Sequence, residues 1–145
     1  MRDLFKNCLA KQDEVKKLFN LCLSADEKYK KIIELGQGQP SLAPEFKTPE
    51  NIVKGCQSIL YLRTYVENGH LYFQVESEAL ISSGLASLLT RVYSGETPET
   101  VLKCPPAFID DLGLAASLTP GRSNGLASMY LRMKQEALKF LLSIK

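Results

Sequence analysis

The spacing of apolar residues divides the chain into helices arranged around one hairpin. From about Leu4 to Leu23, apolar residues recur at steps of three and four, which predicts one helix or two short ones with a buried stripe. Ser24 and Glu27 match a capping box, so a second helix should begin there. Gly36 is expected to end that helix in a left-handed conformation. A glycine- and proline-rich loop of about fifteen residues follows, and loops of that length tend to be functional or disordered.

The hairpin has the clearest local signal. Asn68-Gly69 is a strong two-residue turn, because both positions tolerate positive φ. The turn fixes a register that gathers a mostly apolar face: Val66 opposite Leu71, Thr64 opposite Phe73, and Leu62 opposite Val75. The other face is wetter: Tyr65 opposite Tyr72, and Arg63 opposite Gln74. Turn and alternation agree, which predicts a half-buried antiparallel pair.

The second half of the chain predicts mainly helices. Ser77 should cap a helix over Glu78 to about Tyr93, and Thr97-Pro98 should begin a short one. Another short helix is expected over residues 107–112, and Thr119-Pro120 should open a long final helix. Its inward positions are expected to be Leu126, Met129, Met133, Ala137, Phe140, Leu141 and Ile144. The fold class is therefore α+β, a small antiparallel sheet covered by helices on one side, in a single domain over residues 1–145.

Composition and charge narrow the function classes. The chain has 145 residues, 45% of them apolar, which is the size and character of one ordinary globular domain. The net charge of +2 is too close to neutral to favour a nucleic acid or an anionic membrane as partner. No apolar stretch approaches the roughly 18 residues needed to span a bilayer, and the N-terminus lacks a secretory apolar region. We therefore expect a cytoplasmic protein whose thiols stay reduced.

The chain has four cysteines, and one differs from the others. Cys8 and Cys22 fall on the apolar stripe, where a free cysteine behaves as a small hydrophobe, and Cys104 precedes two prolines in a segment expected to pack or lie at the surface. No Cys-x-x-Cys pair occurs and the chain has one histidine, so a structural zinc site is poorly supported. Cys56 instead lies in the run Gly55-Cys56-Gln57-Ser58, between the long loop and the hairpin.

This run could support sulfur chemistry. A nucleophilic cysteine acts as a thiolate, so it needs partial exposure together with donors or positive charge nearby. Gly55 permits an unusual backbone angle, while Gln57 and Ser58 add side-chain donors. A Gly-Cys pair before a strand is nevertheless more often structural. Arg122 lies in the first turn of the last helix, where the macrodipole disfavours a cation, so either it has a specific partner such as a carboxylate or thiolate, or it points to solvent.

Two other kinds of catalytic site receive little support. Glu76 and Glu78 are adequately explained by the start of a helix, and no cleft signal favours an acid–base pair of carboxylates. His70 should lie opposite Glu67 at the hairpin tip. With strand residues rising about 3.3 Å each, that position is over roughly 20 Å from Cys56, which argues against a cysteine–histidine dyad.

Three segments together resemble the SufE/CsdE family, the sulfur-acceptor partners of cysteine desulfurases: residues 28–36, 51–58 and 118–126. The likeness runs from about Leu18 to the C-terminal helix. The resemblance implies a three-stranded antiparallel meander packed with helices, similar to IscU-type scaffolds. It also implies that the protein takes persulfide sulfur from a SufS/CsdA-like desulfurase, stimulates that enzyme, and delivers the sulfur to an iron–sulfur assembly complex. No cofactor of its own is implied, because the pyridoxal phosphate belongs to the desulfurase.

Carried over to this chain, the resemblance makes Cys56 the acceptor that becomes Cys-S-SH. Gly55, Gln57 and Ser58 would form its loop, and Arg122 would lie near the site. The chain departs from the family pattern in three places. No tryptophan follows the cysteine run, and glutamates 76 and 78 stand where aspartates are usual. A glycine precedes Arg122, where the family often has a serine.

Three alternatives stay open at this point. An assembly scaffold for a metal or nascent iron–sulfur cluster would need three or four converging ligands. A thiol peroxidase or disulfide oxidoreductase would need a resolving cysteine near Cys56, and none is close in sequence. A sulfur relay could also end in tRNA thiolation or another acceptor.

Overall fold

The computed structural model describes residues 5–143 and has α+β architecture, as predicted. The long loop contains two 3₁₀ turns, Pro44–Phe46 and Pro49–Asn51. The strands and α-helices are β1 (Leu60–Glu67), β2 (His70–Ser77), α1 (Lys6–Lys17), α2 (Ala25–Gln37), α3 (Leu80–Tyr93), α4 (Pro98–Lys103), α5 (Phe108–Asp111), α6 (Leu114–Ser117) and α7 (Pro120–Ser143). The first helix is thus shorter than predicted, and the single domain over residues 1–145 stays a prediction.

The hairpin has the predicted turn and register. Asn68 and Gly69 take φ values of 52° and 78°, and every predicted pair between β1 and β2 is formed. On the apolar face, the side chains of Leu62 and Leu71 are fully buried. On the wetter face the two paired tyrosine rings stack with centroids 5.3 Å apart, and an arginine–glutamine hydrogen bond of 2.8 Å crosses the strands.

The sheet has two strands in the described residues, where the family resemblance implied a third. A single bridge extends each edge: Ile52 pairs with Tyr61 outside β1, and Glu96 pairs with Leu71 outside β2. The chain leaves both edges almost at once, because Gly55 and Gly95 each turn it with a φ of +90°. In place of the third strand, one residue on each edge pairs with the hairpin.

Helix α3 lies at the centre of the helical layer and packs against α1, α2, α7 and β2. It crosses α2 very closely at two glycines. A Cβ at Gly36 would lie 2.1 Å from the backbone oxygen of Leu80, and a Cβ at Gly84 would lie 1.9 Å from that of Ile32. The prediction that Gly36 ends α2 is wrong: the helix continues to Gln37, and Gly36 is required by the helix crossing instead.

The helix starts follow the predicted caps in part. The Ser24 hydroxyl accepts a hydrogen bond of 3.1 Å from the Glu27 amide, as the capping box predicts. The Thr97 side chain likewise caps α4. The prediction that Ser77 caps α3 is wrong, because the N-cap is Ala79 and the Ser77 hydroxyl donates to the Ile59 carbonyl at 2.7 Å.

Helix α7 packs against α3 and α4 and completes the core. The predicted inward positions Leu126, Met129, Met133 and Ala137 are buried, and Phe140 and Leu141 are half-buried. Ile144 lies outside the described residues. The opposite, N-terminal part of this helix carries the surface on which the Cys56 loop rests.

Candidate functional site

The loop that carries Cys56 turns at Gly55 and lies across the first half of α7. Gly55 has a φ of +90°, a left-handed value that favours glycine. A Cβ at this position would also lie 2.4 Å from the Ser128 hydroxyl oxygen. Both the backbone angle and the close approach therefore call for glycine here.

A row of small residues on α7 receives the loop. Residues at steps of four and three lie on one face of a helix, so these side chains form one strip. We call this strip the α7 cradle: Gly121, Gly125 and Ser128. A Cβ at Gly121 would lie 2.9 Å from the Gln57 side-chain oxygen, and a Cβ at Gly125 would lie 3.8 Å from the Cys56 sulfur. The three loop residues from 55 to 57 thus lie over successive positions of the cradle.

Cys56 is half-buried in this arrangement. Its thiol makes a weak hydrogen bond to the Gly125 carbonyl, with 3.7 Å between sulfur and oxygen. Burial raises the pKa of Cys56, and the positive charge of Arg122 opposes that rise without cancelling it. The docked cysteine is therefore a protonated thiol at neutral pH, where the sequence predicted only that donors and charge would be near it.

Arg122 connects the loop to the central helix. Its Nη1 donates to the Ser58 hydroxyl at 2.8 Å and to the Ser82 hydroxyl on α3 at 2.7 Å. No carboxylate of residues 5–143 lies within 4.0 Å of its guanidinium nitrogens. The partners are two neutral hydroxyls and, through its charge, the Cys56 thiol. The sequence left two alternatives for Arg122, a specific partner or a side chain that points to solvent. The second alternative is wrong.

The structure brings the predicted site residues together and adds three. Ser58 binds Arg122, Cys56 lies within reach of the Arg122 charge, and Gly55 and the exposed Gln57 lie against the cradle. Sequence reasoning missed Gly125 and Ser128, although their spacing along α7 is a readable signal. It also missed Ser82, for which the sequence holds no signal because the contact depends on how α3 and α7 pack.

The other three cysteines have packing roles. Cys8 and Cys104 are buried, and the Gln12 amide nitrogen lies 3.7 Å from each sulfur. The same amide nitrogen donates to the Pro105 carbonyl at 3.0 Å, and burial raises the pKa of Cys8 to about 12. Cys22 is half-buried, with its thiol 3.6 Å from a backbone carbonyl of α2. The packing interpretation is confirmed for all three, since Cys8 and Cys104 lie in the hydrophobic core and Cys22 packs against it.

Glu76 lies near the end of β2 and Glu78 follows the strand, and the contacts of Glu76 are structural. Glu76 forms an ion pair of 2.5 Å with Lys47 and accepts a hydrogen bond from the Leu42 amide at 2.7 Å. Both contacts lower the pKa of Glu76. Glu78 is exposed. Glu76 therefore ties the long loop to the end of β2.

The described residues form neither a metal-ligand cluster nor a membrane-spanning helix. Within residues 5–143, no three histidine, cysteine, aspartate or glutamate side chains converge as metal ligands. In that same part of the chain, no helix combines the length and apolar character needed to cross a membrane.

Fold and site together define a small α+β protein that presents a half-buried loop cysteine next to an arginine that has no carboxylate partner within residues 5–143. The family model for SufE, described as the Fe-S metabolism associated domain, matches residues 13–137. This chain belongs to the SufE family, and its general role lies in iron–sulfur metabolism.

Relatives agree with this assignment. The chain is 35% identical over 129 residues to "SufE-like protein 1, chloroplastic/mitochondrial" of Arabidopsis thaliana, covering 88% of this chain but only 35% of that protein. It is 40% identical over 112 residues to an uncharacterized SufE-like protein of Rhizobium etli, covering 73% and 75% of the two chains. The solution structure of a hypothetical protein from Thermus thermophilus superposes with a TM-score of 0.73 at 28% identity, over 91% of this chain and 96% of that one.

Proposed function

We propose that this chain is a sulfur acceptor in which Cys56 takes the terminal sulfur of a persulfide from a cysteine desulfurase and passes it on. The family as a whole is associated with cysteine desulfurases. The observation that carries the proposal is the placement of Cys56: it sits on a loop at the surface, half-buried, beside a cation that no carboxylate of residues 5–143 neutralises.

The transfer is a thiol exchange that needs no further reactant. The Cys56 thiolate attacks the outer sulfur of the desulfurase persulfide, a new S–S bond forms, and the desulfurase cysteine leaves as a thiolate. Cys56 then carries the –S–SH group. The pyridoxal phosphate that generates the persulfide belongs to the desulfurase, so this chain is expected to bind no cofactor of its own.

The docked loop favours storage over attack. Burial keeps Cys56 protonated, and a protonated thiol is a poor nucleophile. The loop is held by one weak thiol hydrogen bond and by the link from Ser58 to Arg122. We therefore infer that the loop leaves the α7 cradle to reach the desulfurase, and that redocking shields the sulfur from oxidation.

The finer features of the function stay predictions. A SufS/CsdA-like desulfurase is the expected donor, and an iron–sulfur scaffold complex is the expected recipient. Delivery to tRNA thiolation or another acceptor is the alternative downstream step. The cytoplasmic location also stays a prediction.

Intact-mass spectrometry tests the proposal. The protein is incubated with a cysteine desulfurase, pyridoxal phosphate and cysteine, and the expected product is heavier by one sulfur atom. The adduct should vanish in Cys56→Ser and persist in Cys22→Ser, a matched control because Cys22 is also half-buried. An adduct of equal yield in Cys56→Ser, or no adduct on the wild-type chain, would show that Cys56 is not the acceptor.

A further inference from the structure

We infer that Ser82 is a positioning residue for this site: its hydroxyl fixes the Arg122 guanidinium beside the Cys56 loop without cancelling its charge. The biological meaning of this inference rests on the proposed sulfur transfer. The contacts themselves can be tested on the isolated protein.

Among the described residues, the side-chain hydrogen-bond partner of Ser82 is Arg122. It lies in the first turn of α3 and is only 3% exposed. Its hydroxyl oxygen accepts a hydrogen bond of 2.7 Å from Nη1 of Arg122, and the second hydrogen of that nitrogen is available to the Ser58 hydroxyl at 2.8 Å. One nitrogen of the arginine therefore joins the rigid central helix to the cysteine loop.

The Ser82 hydroxyl is a neutral partner, and its neutrality leaves the charge of Arg122 unopposed. A carboxylate at this position would hold the arginine equally well, but its negative charge would offset the guanidinium charge felt by the sulfur. A hydroxyl accepts the same hydrogen bond and adds no charge. Ser82 thus lets Arg122 be held tightly while its charge remains available to a thiolate or a persulfide anion at Cys56.

The other buried serines of α3 give an internal comparison. Ser83 is directed to the Gly36 carbonyl of α2 at 3.4 Å, and the Ser87 hydroxyl has no hydrogen-bond partner among the described residues. Of these three serines, Ser82 alone contacts a charged side chain in residues 5–143. Ser87 is therefore a matched control, since it is a buried serine of the same helix without a link to the site.

Charged groups other than Arg122 are expected to contribute little to the shift of the Cys56 pKa. Arg122 on α7 is the charge that opposes the burial-induced rise of the Cys56 pKa. Helix α3 contributes the uncharged Ser82, and Lys54 in the loop itself is exposed. Glu76 is engaged by Lys47. A change at Ser82 should therefore act on Cys56 through the arginine.

A double-mutant cycle tests this inference without any desulfurase. Alkylation of Cys56 by iodoacetamide is followed across pH by peptide mass spectrometry in the wild-type chain, Ser82→Ala, Arg122→Gln and the double variant. We expect Ser82→Ala to move the pH midpoint upward and to slow alkylation severalfold at neutral pH. In the Arg122→Gln background the same substitution should have no further effect, because coupled residues are not additive.

Three results would overturn the inference. The first is a midpoint that Ser82→Ala leaves unchanged or moves downward. The second is an equal effect of Ser82→Ala with and without Arg122, and the third is an equal shift in Ser87→Ala, since either would indicate general loosening of the core. The proposed function fails separately: a Ser82 effect that holds while Cys56 never receives sulfur would leave the positioning intact and remove the sulfur-acceptor role.

Discussion

A single substitution at Gly55 should weaken the docking of the Cys56 loop. Gly55→Ala places a methyl group on a residue whose φ is +90°, and that methyl would lie 2.4 Å from the Ser128 hydroxyl oxygen. Both penalties apply only while the loop rests on the α7 cradle, because an undocked loop is free to adopt a negative φ. The substitution should therefore shift the loop from docked to undocked without disturbing the core.

The size of the shift follows from the backbone angle. A left-handed conformation costs an L-residue about 1–2 kcal/mol. A free-energy change of that size alters a two-state ratio by a factor of about 5–30. If docking equilibrates faster than alkylation, Cys56 should react with iodoacetamide about 5–30 times faster in Gly55→Ala than in the wild-type chain. The clash with Ser128 adds to this, so Ser128→Gly should return part of the effect but not all of it.

The assay needs a control for strain that lies elsewhere. Gly69→Ala has a similar φ, +78°, but a Cβ there meets nothing within 4 Å at the hairpin tip. It should leave Cys56 alkylation unchanged. An unaltered Cys56 rate in Gly55→Ala would refute the reasoning. So would equal acceleration at the buried Cys8 and Cys104, because that would report global unfolding rather than release of the loop.

Three further predictions test the packing and electrostatics of the fold. Gly125→Ala should raise the free energy of unfolding by up to about 1 kcal/mol in urea titration, because alanine is the better helix former. Cys56 alkylation should not become faster, because the new Cβ makes only ordinary contacts of 3.7–4.0 Å with Cys56. Faster alkylation would contradict this prediction. Gly84→Ala should lower the free energy of unfolding by about 3 kcal/mol or more, since its Cβ would lie 1.9 Å from a backbone oxygen of α2. The control Gly38→Ala should be nearly neutral in the same titration, because its Cβ would make only ordinary contacts. Glu76→Gln should destabilise the protein at neutral pH. Because partners lower the Glu76 pKa, its stabilisation is present above the unfolded-state value and lost as pH falls through the folded-state value, so the two proteins should converge in acid.

The hairpin was predictable because its determinants are local. Asn68-Gly69 selects the turn, and the turn sets the register of every pair from Glu67–His70 outward. The single bridges at Ile52 and Glu96 were not predictable in the same way. Each depends on where a distant segment happens to touch the sheet, and that position is set by tertiary packing.

Gly36 shows how one residue type can satisfy two different rules. A glycine near the end of a helical pattern predicts a left-handed C-terminus, and the sequence offers no means of separating that cause from close helix packing. The structure separates them, because Gly36 and Gly84 each meet a backbone oxygen of the opposite helix. Two glycines facing each other across a crossing are visible only when both helices are in place.

The site was predictable in its reacting atom and less so in its surroundings. Cys56 stood out because it falls outside any apolar period, and Arg122 because a cation at a helix start calls for a specific reason. Its partners, Ser58 and Ser82, come from segments that no spacing rule connects.

The contacts that place the cysteine also restrain its reactivity. Docking on the cradle buries the Cys56 sulfur, and burial raises its pKa more strongly than the Arg122 charge lowers it. A site designed only for attack would show the opposite balance, since a thiolate is the reacting species. Under the proposed function, the resting loop is therefore a protected state, and the arginine becomes most effective once an anion forms at the sulfur. Reactivity should accordingly depend on two quantities: how often the loop leaves the cradle, which Gly55→Ala is expected to change, and how strongly Arg122 favours the thiolate, which Ser82→Ala is expected to change.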